Sequence, residues 1–302
     1  MNKAILALLF SISLSPLFAQ FHLSFSGGYC LPLASSFSSV NETEFQNTGF
    51  PQYYTVSQQI TRTSYGQGGN IALALDWFSK NNFGCGLKLN ALISSHYSYS
   101  ANVNYLDGTS ANFNFTDKPF SFQFAPHISI KHDFKTVSPI LEIGLLAGIT
   151  NVRQDYQAAY STGNEVVSSI NNHGSVMIGF YSSFGLAFKV AKVVRITLAL
   201  NCSAGSYSPS QWDRTSFTVN GVDQMNNLPV SEKQGTYVKQ LDLNTTQPTN
   251  QPHQDLKFSF PFSNVGINAG IAFVLIKNTK PAKEIKDENA KERIRKKWED
   301  TY

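Results

Sequence analysis

The sequence predicts an all-β protein: an eight-stranded antiparallel up-and-down transmembrane β-barrel with long outer loops and a short C-terminal helical tail. Three observations predict it. The chain of 302 residues is 42% hydrophobic and 13% aromatic but only 15% charged, against about 25% charged in ordinary soluble domains. Its apolar residues sit at alternate positions in eight segments, not in the runs of ~20 that a spanning helix needs. The links between the segments alternate strictly between short and long, as short periplasmic turns and long outer loops do in such barrels.

In chain order, residues 1–19 read as a secretory signal peptide. Met1, Asn2 and Lys3 give a short basic start. Ala4 to Phe10 is apolar, the run continues through Ile12 and Leu14 to Leu17, and Ala19 closes it as the last residue before cleavage. No Cys follows the cut, so a lipoprotein anchor is not expected. Residues 20–276 are assigned to the barrel and 277–302 to a charged periplasmic tail.

The first strand lies near Gln20 to Cys30, with Phe21, Leu23 and Phe25 opposed by His22 and Ser24. In the second, Ile71, Leu73, Leu75 and Trp77 oppose Asn70, Ala72, Ala74 and Asp76. Phe83, Cys85, Leu87 and Leu89 oppose Gly84, Gly86, Lys88 and Asn90 in the third. The fourth sets Phe120, Phe122, Phe124, Ile128 and Ile130 against Ser121, Gln123, His127, Ser129 and Lys131. The fifth sets Leu141, Ile143, Leu145 and Ile149 against Glu142, Gly144 and Gly148. In the sixth, Val176, Ile178, Phe180, Phe184 and Phe188 oppose Gly179, Ser183, Gly185 and Lys189. The seventh, Val193 to Ser203, opposes Val194, Ile196, Leu198 and Leu200 to Arg195, Thr197 and Asn201. The eighth opposes Val265, Ile267, Ile271, Phe273 and Leu275 to Gly266, Asn268, Gly270 and Ala272. Each is a period-two pattern, the mark of a strand between two media.

Ser79-Lys80-Asn81-Asn82, Asp133 to Val137 and Ala191-Lys192 make the tight turns. The long links, 31–67, 97–117, 153–173 and 207–256, are rich in Ser, Thr, Asn, Gln and Gly. They are expected as mobile surface segments with short hairpins of their own. In the tail, nine Lys/Arg against six Asp/Glu account for +3 of the net charge of +4. There Ala290, Ile294, Trp298 and Tyr302 recur every four residues and suggest a short helix. The nearly neutral remainder argues against a nucleic-acid partner. Cys30, Cys85 and Cys202 are far apart, odd in number and without metal spacing.

Backbone groups in lipid must all pair, so a spanning sheet must close on itself. The apolar rows then face hydrocarbon and the polar rows the interior, the reverse of a soluble β protein. The interior of an eight-stranded barrel is just wide enough for side chains to fill. Asp76 and Glu142 against Lys88, Lys131, Lys189 and Arg195, with His127 among them, are therefore expected as one paired cluster plugging the lumen. Trp77, Phe78, Phe83, Tyr97, Tyr99, Phe134 and Tyr207 lie near segment ends, where interfacial girdles place aromatics.

The leader, the opening Phe25-Ser26-Gly27-Gly28-Tyr29-Cys30-Leu31-Pro32-Leu33 and the eight segments resemble the outer-membrane β-barrel proteins of Bacteroidetes, in the broad OmpA-barrel/OmpX/OmpW-like class. The final strand looks like the signal read by the barrel-assembly machinery, through Asn268, Gly270, Phe273 and Leu275. Many members end there on an aromatic, whereas this chain runs on for 27 residues. The resemblance implies a place in a bacterial outer membrane, with membrane lipid, lipopolysaccharide and the assembly machinery as partners and no cofactor.

One constellation suggests catalysis. His127-Ile128-Ser129 with Glu142 is similar to the His-x-Ser pair and Glu of lipid A 3-O-deacylases, also eight-stranded barrels, where an activated Ser attacks an acyl group. That family has Asn after the Ser; here Ile130 follows, and the alternation turns the pair inward. Gly66-Gln67-Gly68-Gly69 lacks the Lys and helix of a phosphate loop. His96, His132, His173 and His253 show no metal spacing, and Asp213, Asp223 and Asp255 are isolated loop carboxylates. No catalytic, cofactor or metal residue is therefore assigned. The expected role is structural or surface interaction through loops 31–67 and 207–256. A narrow solute pore or secretion-apparatus component comes next, and a lipid A deacylase-like enzyme last.

Overall fold

Alternation commits almost the whole described chain to strands, because each segment offers one face to each of two media. The structure, a computed structural model, describes residues 20–33, 53–55, 64–79, 81–105, 109–242 and 246–275. Its strands are β1 (Gln20–Pro32), β2 (Tyr53–Thr55), β3 (Gly68–Phe78), β4 (Phe83–Ser94), β5 (Tyr97–Tyr105), β6 (Ser110–Lys131), β7 (Val137–Tyr160) and β8 (Glu165–His173). They continue with β9 (Val176–Lys189), β10 (Val194–Tyr207), β11 (Gln211–Val219), β12 (Val222–Asp223), β13 (Gln234–Val238), β14 (His253–Leu256), β15 (Phe260–Pro261) and β16 (Asn264–Val274). Among the described residues one helix, α1 (Val230–Lys233), precedes β13, after a 3-10 turn at Met225–Asn227. All sixteen strands join one sheet. Every pairing is antiparallel except that of β13 with β14.

Eight strands match the eight alternating segments. β1 pairs with β16 and β3, β3 with β4, β4 with β6, β6 with β7, β7 with β9, β9 with β10, and β10 with β16. The tight connections fall where expected. Asn82, in the left-handed region at φ 64°, turns β3 into β4, a conformation Asn tolerates better than most residues. Phe134 N–H to Val137 O at 3.0 Å closes the β6–β7 turn, and Ala191 N–H to Val194 O at 3.1 Å the β9–β10 turn.

The apolar rows are exposed and the polar rows buried. Ile71, Leu73 and Leu75, Phe120 to Ile130 at even positions, and Ile143, Leu145, Ile196, Leu198, Ile267 and Ile271 all face outward. Asn70, Asp76, Gln123, His127, Ser183, Arg195, Asn201 and Asn268 are buried.

The long links correct the sequence reading. Segments 97–117, 153–173 and part of 207–256 do hold hairpins, but these are long continuations of the sheet and not short pieces within loops. β6 has 22 residues and β7 has 24, at least twice the roughly 9–11 that cross a bilayer. β5 pairs with the extension of β6 and β8 with that of β7, and β11 adds to β8.

The alternation changes sign along them. In β6, Phe120, Phe122, Phe124, Ile128 and Ile130 are exposed and Ser121, Gln123, His127 and Ser129 buried; earlier in the same strand Asn112 and Asn114 are exposed, while Phe113 and Phe115 are half-buried. In β7 the outward Ile143, Leu145 and Ile149 give way to outward Arg153 and Gln157, with Val152 and Ala158 buried. A search for outward apolar rows misses strands of the opposite sign, so these segments read as polar loops. The expected aromatic girdle is also corrected. Phe78 and Tyr207 are fully buried and point inward, whereas Phe83 and Phe134 are exposed at the turn end. Residues 1–19, read as a leader, most of the 31–67 link and residues 277–302, where a short helix is expected, lie outside the described residues.

Candidate functional site

The interior is stacked in three levels along the strands. At the turn end, Asp133, in the β6–β7 turn, gathers the basic side chains. Lys131 Nζ lies 3.0 Å from its Oδ2; Arg195 Nη1 at 3.3 Å and Lys189 Nζ at 3.9 Å approach Oδ1. Ser138 Oγ donates to the same Oδ1 at 2.6 Å. Lys131 also donates to Gln20 Oε1 at 3.0 Å and caps the Phe78 ring, 4.7 Å from its centroid. Partial burial raises the Asp133 carboxyl, but the Ser138 and Lys131 hydrogen bonds and the charges of Lys131 and Arg195 outweigh it and hold the group at about 2.

The middle level holds the other charges. Asp76 and Gly86 are cross-strand partners on β3 and β4, and Gly86 and His127 on β4 and β6. Because position 86 has no side chain, Asp76 and His127 meet across β4, with His127 Nε2 2.7 Å from Asp76 Oδ1. A Cβ at position 86 would lie 2.0 Å from that oxygen and 2.6 Å from His127 Nε2. His127 Nδ1 lies 3.1 Å from Ala125 O. Both partners are acceptors, so an imidazolium beside a carboxylate satisfies this geometry in full. Beside it, Lys88 Nζ donates to Glu142 Oε2 at 3.0 Å and contacts the Tyr181 hydroxyl. That hydroxyl lies 2.8 Å from Glu142 Oε2 and 3.3 Å from Asn201 Oδ1.

The outer level is apolar. Tyr65, Leu92, Val152, Met177, Tyr207, Phe260 and Phe262 form a buried cluster, with Tyr65 packed edge-on against Phe260 at 5.2 Å. Tyr65 donates to Asp117 Oδ2 at 2.5 Å and Gln154 Nε2 to Oδ1 at 3.0 Å. Between the levels lie two cavities of about 60 and 30 Å³, room for a few waters at roughly 30 Å³ each. Asn70, Gln123, Asn201, Ser203 and Asn268 each carry a buried polar atom without a protein partner and line these spaces. The cavities are thus polar enough to be wet, and too small for a solute of several heavy atoms.

The predicted single cluster is therefore two. Asp76, Lys88, His127 and Glu142 come together; Lys131, Lys189 and Arg195 assemble instead on Asp133. Asp133 was assigned to the turn, although it continues the inward parity of Lys131 two residues on. Tyr181 and Gln20 were also missed; both share the parity of predicted inward neighbours. On β16, Asn268 is buried and Phe273 exposed, as is Leu275 just past its end.

His127, Ser129 and Glu142 do not form an acyl-transfer triad. Both His127 nitrogens are engaged elsewhere, the Glu142 carboxylate serves Lys88 and Tyr181, and Ser129 Oγ is buried without a partner. Ligand atoms of Asp76, His127 and Glu142 lie within 4.8 Å of one another and are the described residues best placed to hold a metal. Each already has a partner, and the Lys88 ammonium sits where it would repel a cation. No protein-family model matches the chain, and no curated protein matches it in sequence.

Gly86→Val is expected to part Asp76 from His127 and lower stability by about 3 kcal/mol, as breaking a buried ion pair does. Gly185→Ala, whose added methyl meets Ala199 at an ordinary 3.4 Å, should be nearly neutral. Urea unfolding of the refolded protein measures both. Asp133 has its folded pKa depressed from 3.8 to about 2, so its contribution is complete above pH ~4 and lost as pH falls through ~2. Asp133→Asn should flatten the unfolding midpoint against pH in that window and leave the slope at neutral pH unchanged.

Proposed function

We propose that the eight mutually paired strands form an outer-membrane β-barrel with a sealed lumen, and that its function is surface interaction through the sheet and connections beyond the apolar band. The observation that carries this reading is the change of sign within β6 and β7. A strand that exposes Phe and Ile over one stretch and Asn, Arg and Gln over the next has its outer face in two different solvents. From Phe120 to Ile130 the exposed apolar row of β6 is eleven residues long, roughly 33 Å at 3.3 Å per residue. At the usual tilt of ~40° this is about 25 Å along the membrane normal, the height of the apolar band of outer-membrane barrels.

The apolar level of Tyr65, Tyr207, Phe260 and Phe262 and the small size of the cavities favour a closed wall over a solute pore. The signal-like leader, the assembly-like run at Asn268, Gly270, Phe273 and Leu275, and the resemblance to Bacteroidetes outer-membrane barrels support export to that membrane. Lipid and lipopolysaccharide then surround the band, and the extended hairpins stand beyond it.

Phe124→Lys, at the middle of the band and facing outward, should cost ~2–4 kcal/mol when the protein is refolded into lipid. Asn114→Lys, outward on the same strand beyond the band, should cost almost nothing. Urea titrations in vesicles decide this, and equal costs at the two positions would sink the membrane reading. The unboiled protein should migrate differently from the boiled one on a gel, and in a planar bilayer it should carry no steady current.

A further inference from the structure

Beyond the apolar seal, a larger and more open concavity of about 380 Å³ lies between β8, β11, β13 and β14. Small-molecule sites commonly span ~300–1,000 Å³. It is lined by Trp212, Arg214, Tyr237, Asp255, Leu256 and Phe258, over Gln154 and Ile170. We propose that it binds a neutral saccharide. The proposal names a ligand class for the outer surface in the reading above, and rests on that reading for its accessibility.

Two devices build the site in advance. Asn172, fully buried, ties its parts to the barrel mouth. Its Nδ2 donates to Val152 O at 3.1 Å and to Gln154 Oε1 at 2.9 Å, and its Oδ1 accepts from the Tyr237 hydroxyl at 2.6 Å. Gly235 makes room for the Trp212 indole, since a Cβ there would fall 2.0 Å from Nε1. The indole therefore lies across β13 and donates to Asp255 Oδ2, on β14, at 2.7 Å. A fixed indole and a fixed carboxylate result, with little ordering left for a ligand to impose.

The lining suits a polyol with apolar ring faces. Phe258 is held edge-on between Tyr237 at 5.1 Å and Phe260 at 4.7 Å, yet remains 37% exposed, beside Leu256 at 55%. These surfaces offer contact to C–H faces. Asp255 has lone pairs to accept hydroxyl protons. Arg214 uses Nε on Glu232 O at 2.8 Å and Nη1 on Ser168 Oγ at 3.1 Å, and neither bond occupies Nη2. One guanidinium and one carboxylate make the lining neutral overall, so an anionic or cationic ligand gains from one and is repelled by the other. A neutral sugar uses both as hydrogen-bond partners.

Such a sugar comes either free or as the head of a glycolipid in the adjoining leaflet. The full chain is refolded in micelles, its gel shift on boiling is recorded, and it is titrated calorimetrically with maltotriose, cellotriose, mannotriose and chitotriose, and with sulfated cellotriose. In parallel, nanodiscs with and without digalactosyl diacylglycerol are compared for a shift in thermal unfolding. Saturable binding of at least one neutral trisaccharide, insensitive to added salt, supports a free ligand; a glycolipid-dependent shift alone supports the lipid-borne one. In either arm, Phe258→Ala and Asp255→Asn should weaken the effect at least about tenfold, or 1.4 kcal/mol, while retaining the wild-type gel shift. The proposal is overturned if no neutral sugar acts in either arm, if only the sulfated one binds, or if the variants match wild type. Sugar binding without any gel shift would remove the barrel reading and leave this site standing.

Discussion

Everything in this molecule follows from which medium each strand face meets. A sheet that exposes rows of Phe, Ile and Leu and buries Asp, Lys, His and Asn is unstable in water, where each exposed side chain costs about 1.5–3 kcal/mol relative to burial. In hydrocarbon the same rows cost nothing, and the backbone is satisfied only if the strands pair all round. On the membrane reading proposed above, the ladder running from β1 through β3, β4, β6, β7, β9, β10 and β16 back to β1 answers that demand. The interior must then accommodate charge without bulk water. It does so with short contacts among groups placed by parity: Asp76 with His127, Glu142 with Lys88, and Asp133 with Lys131 and Arg195.

The three interior levels divide the work. The turn-end level neutralises the basic side chains around one carboxylate at the edge of water. The middle level holds buried ion pairs beside small polar spaces. The outer level excludes water with packed rings. Each differs from the next because successive inward residues on one strand sit roughly 7 Å apart, so a change of residue type every two or three inward positions is enough to change the chemistry. On β6 the inward positions run Phe115, Asp117, Pro119, Ser121, Gln123, Ala125, His127, Ser129 and Lys131, and the two basic side chains among them meet Asp76 and Asp133.

The eight core strands were legible in the sequence because each carries a sustained period-two pattern, and the structure pairs them in sequence order as antiparallel neighbours. Parity also identified Asp76, Lys88, His127 and Glu142 as inward. What the pattern did not reveal was which inward charges meet, since that depends on shear between strands, set by ladder register and not by any one strand. Thus Lys131 and Arg195, placed with the central charges, are drawn to Asp133, a residue hidden in a turn. The extensions of β6, β7, β8 and β11 were missed for a different reason. Their polar side faces outward, and Asn, Ser and Thr mark loops in most sequences. Phe113 and Phe115 flanked by Asn112 and Asn114 show the same period two with the sign reversed, and that reversal is readable once the search allows either face to be the apolar one. The concavity around Trp212 had no local signature, because Gly235 meets Trp212 only through the pairing of β11 with β13, and Asp255 arrives only through the parallel pairing of β13 with β14.

The outward rows carry a consequence for the chain's biogenesis. On the membrane reading, the protein crosses an aqueous compartment before it reaches lipid, and every strand of the wall then presents adhesive residues together with unpaired backbone. Such segments associate with one another faster than they find their proper neighbours. The chain is therefore delivered unfolded by an escort that masks those stripes, and its yield is set by a race between insertion and clumping rather than by the stability of the finished wall.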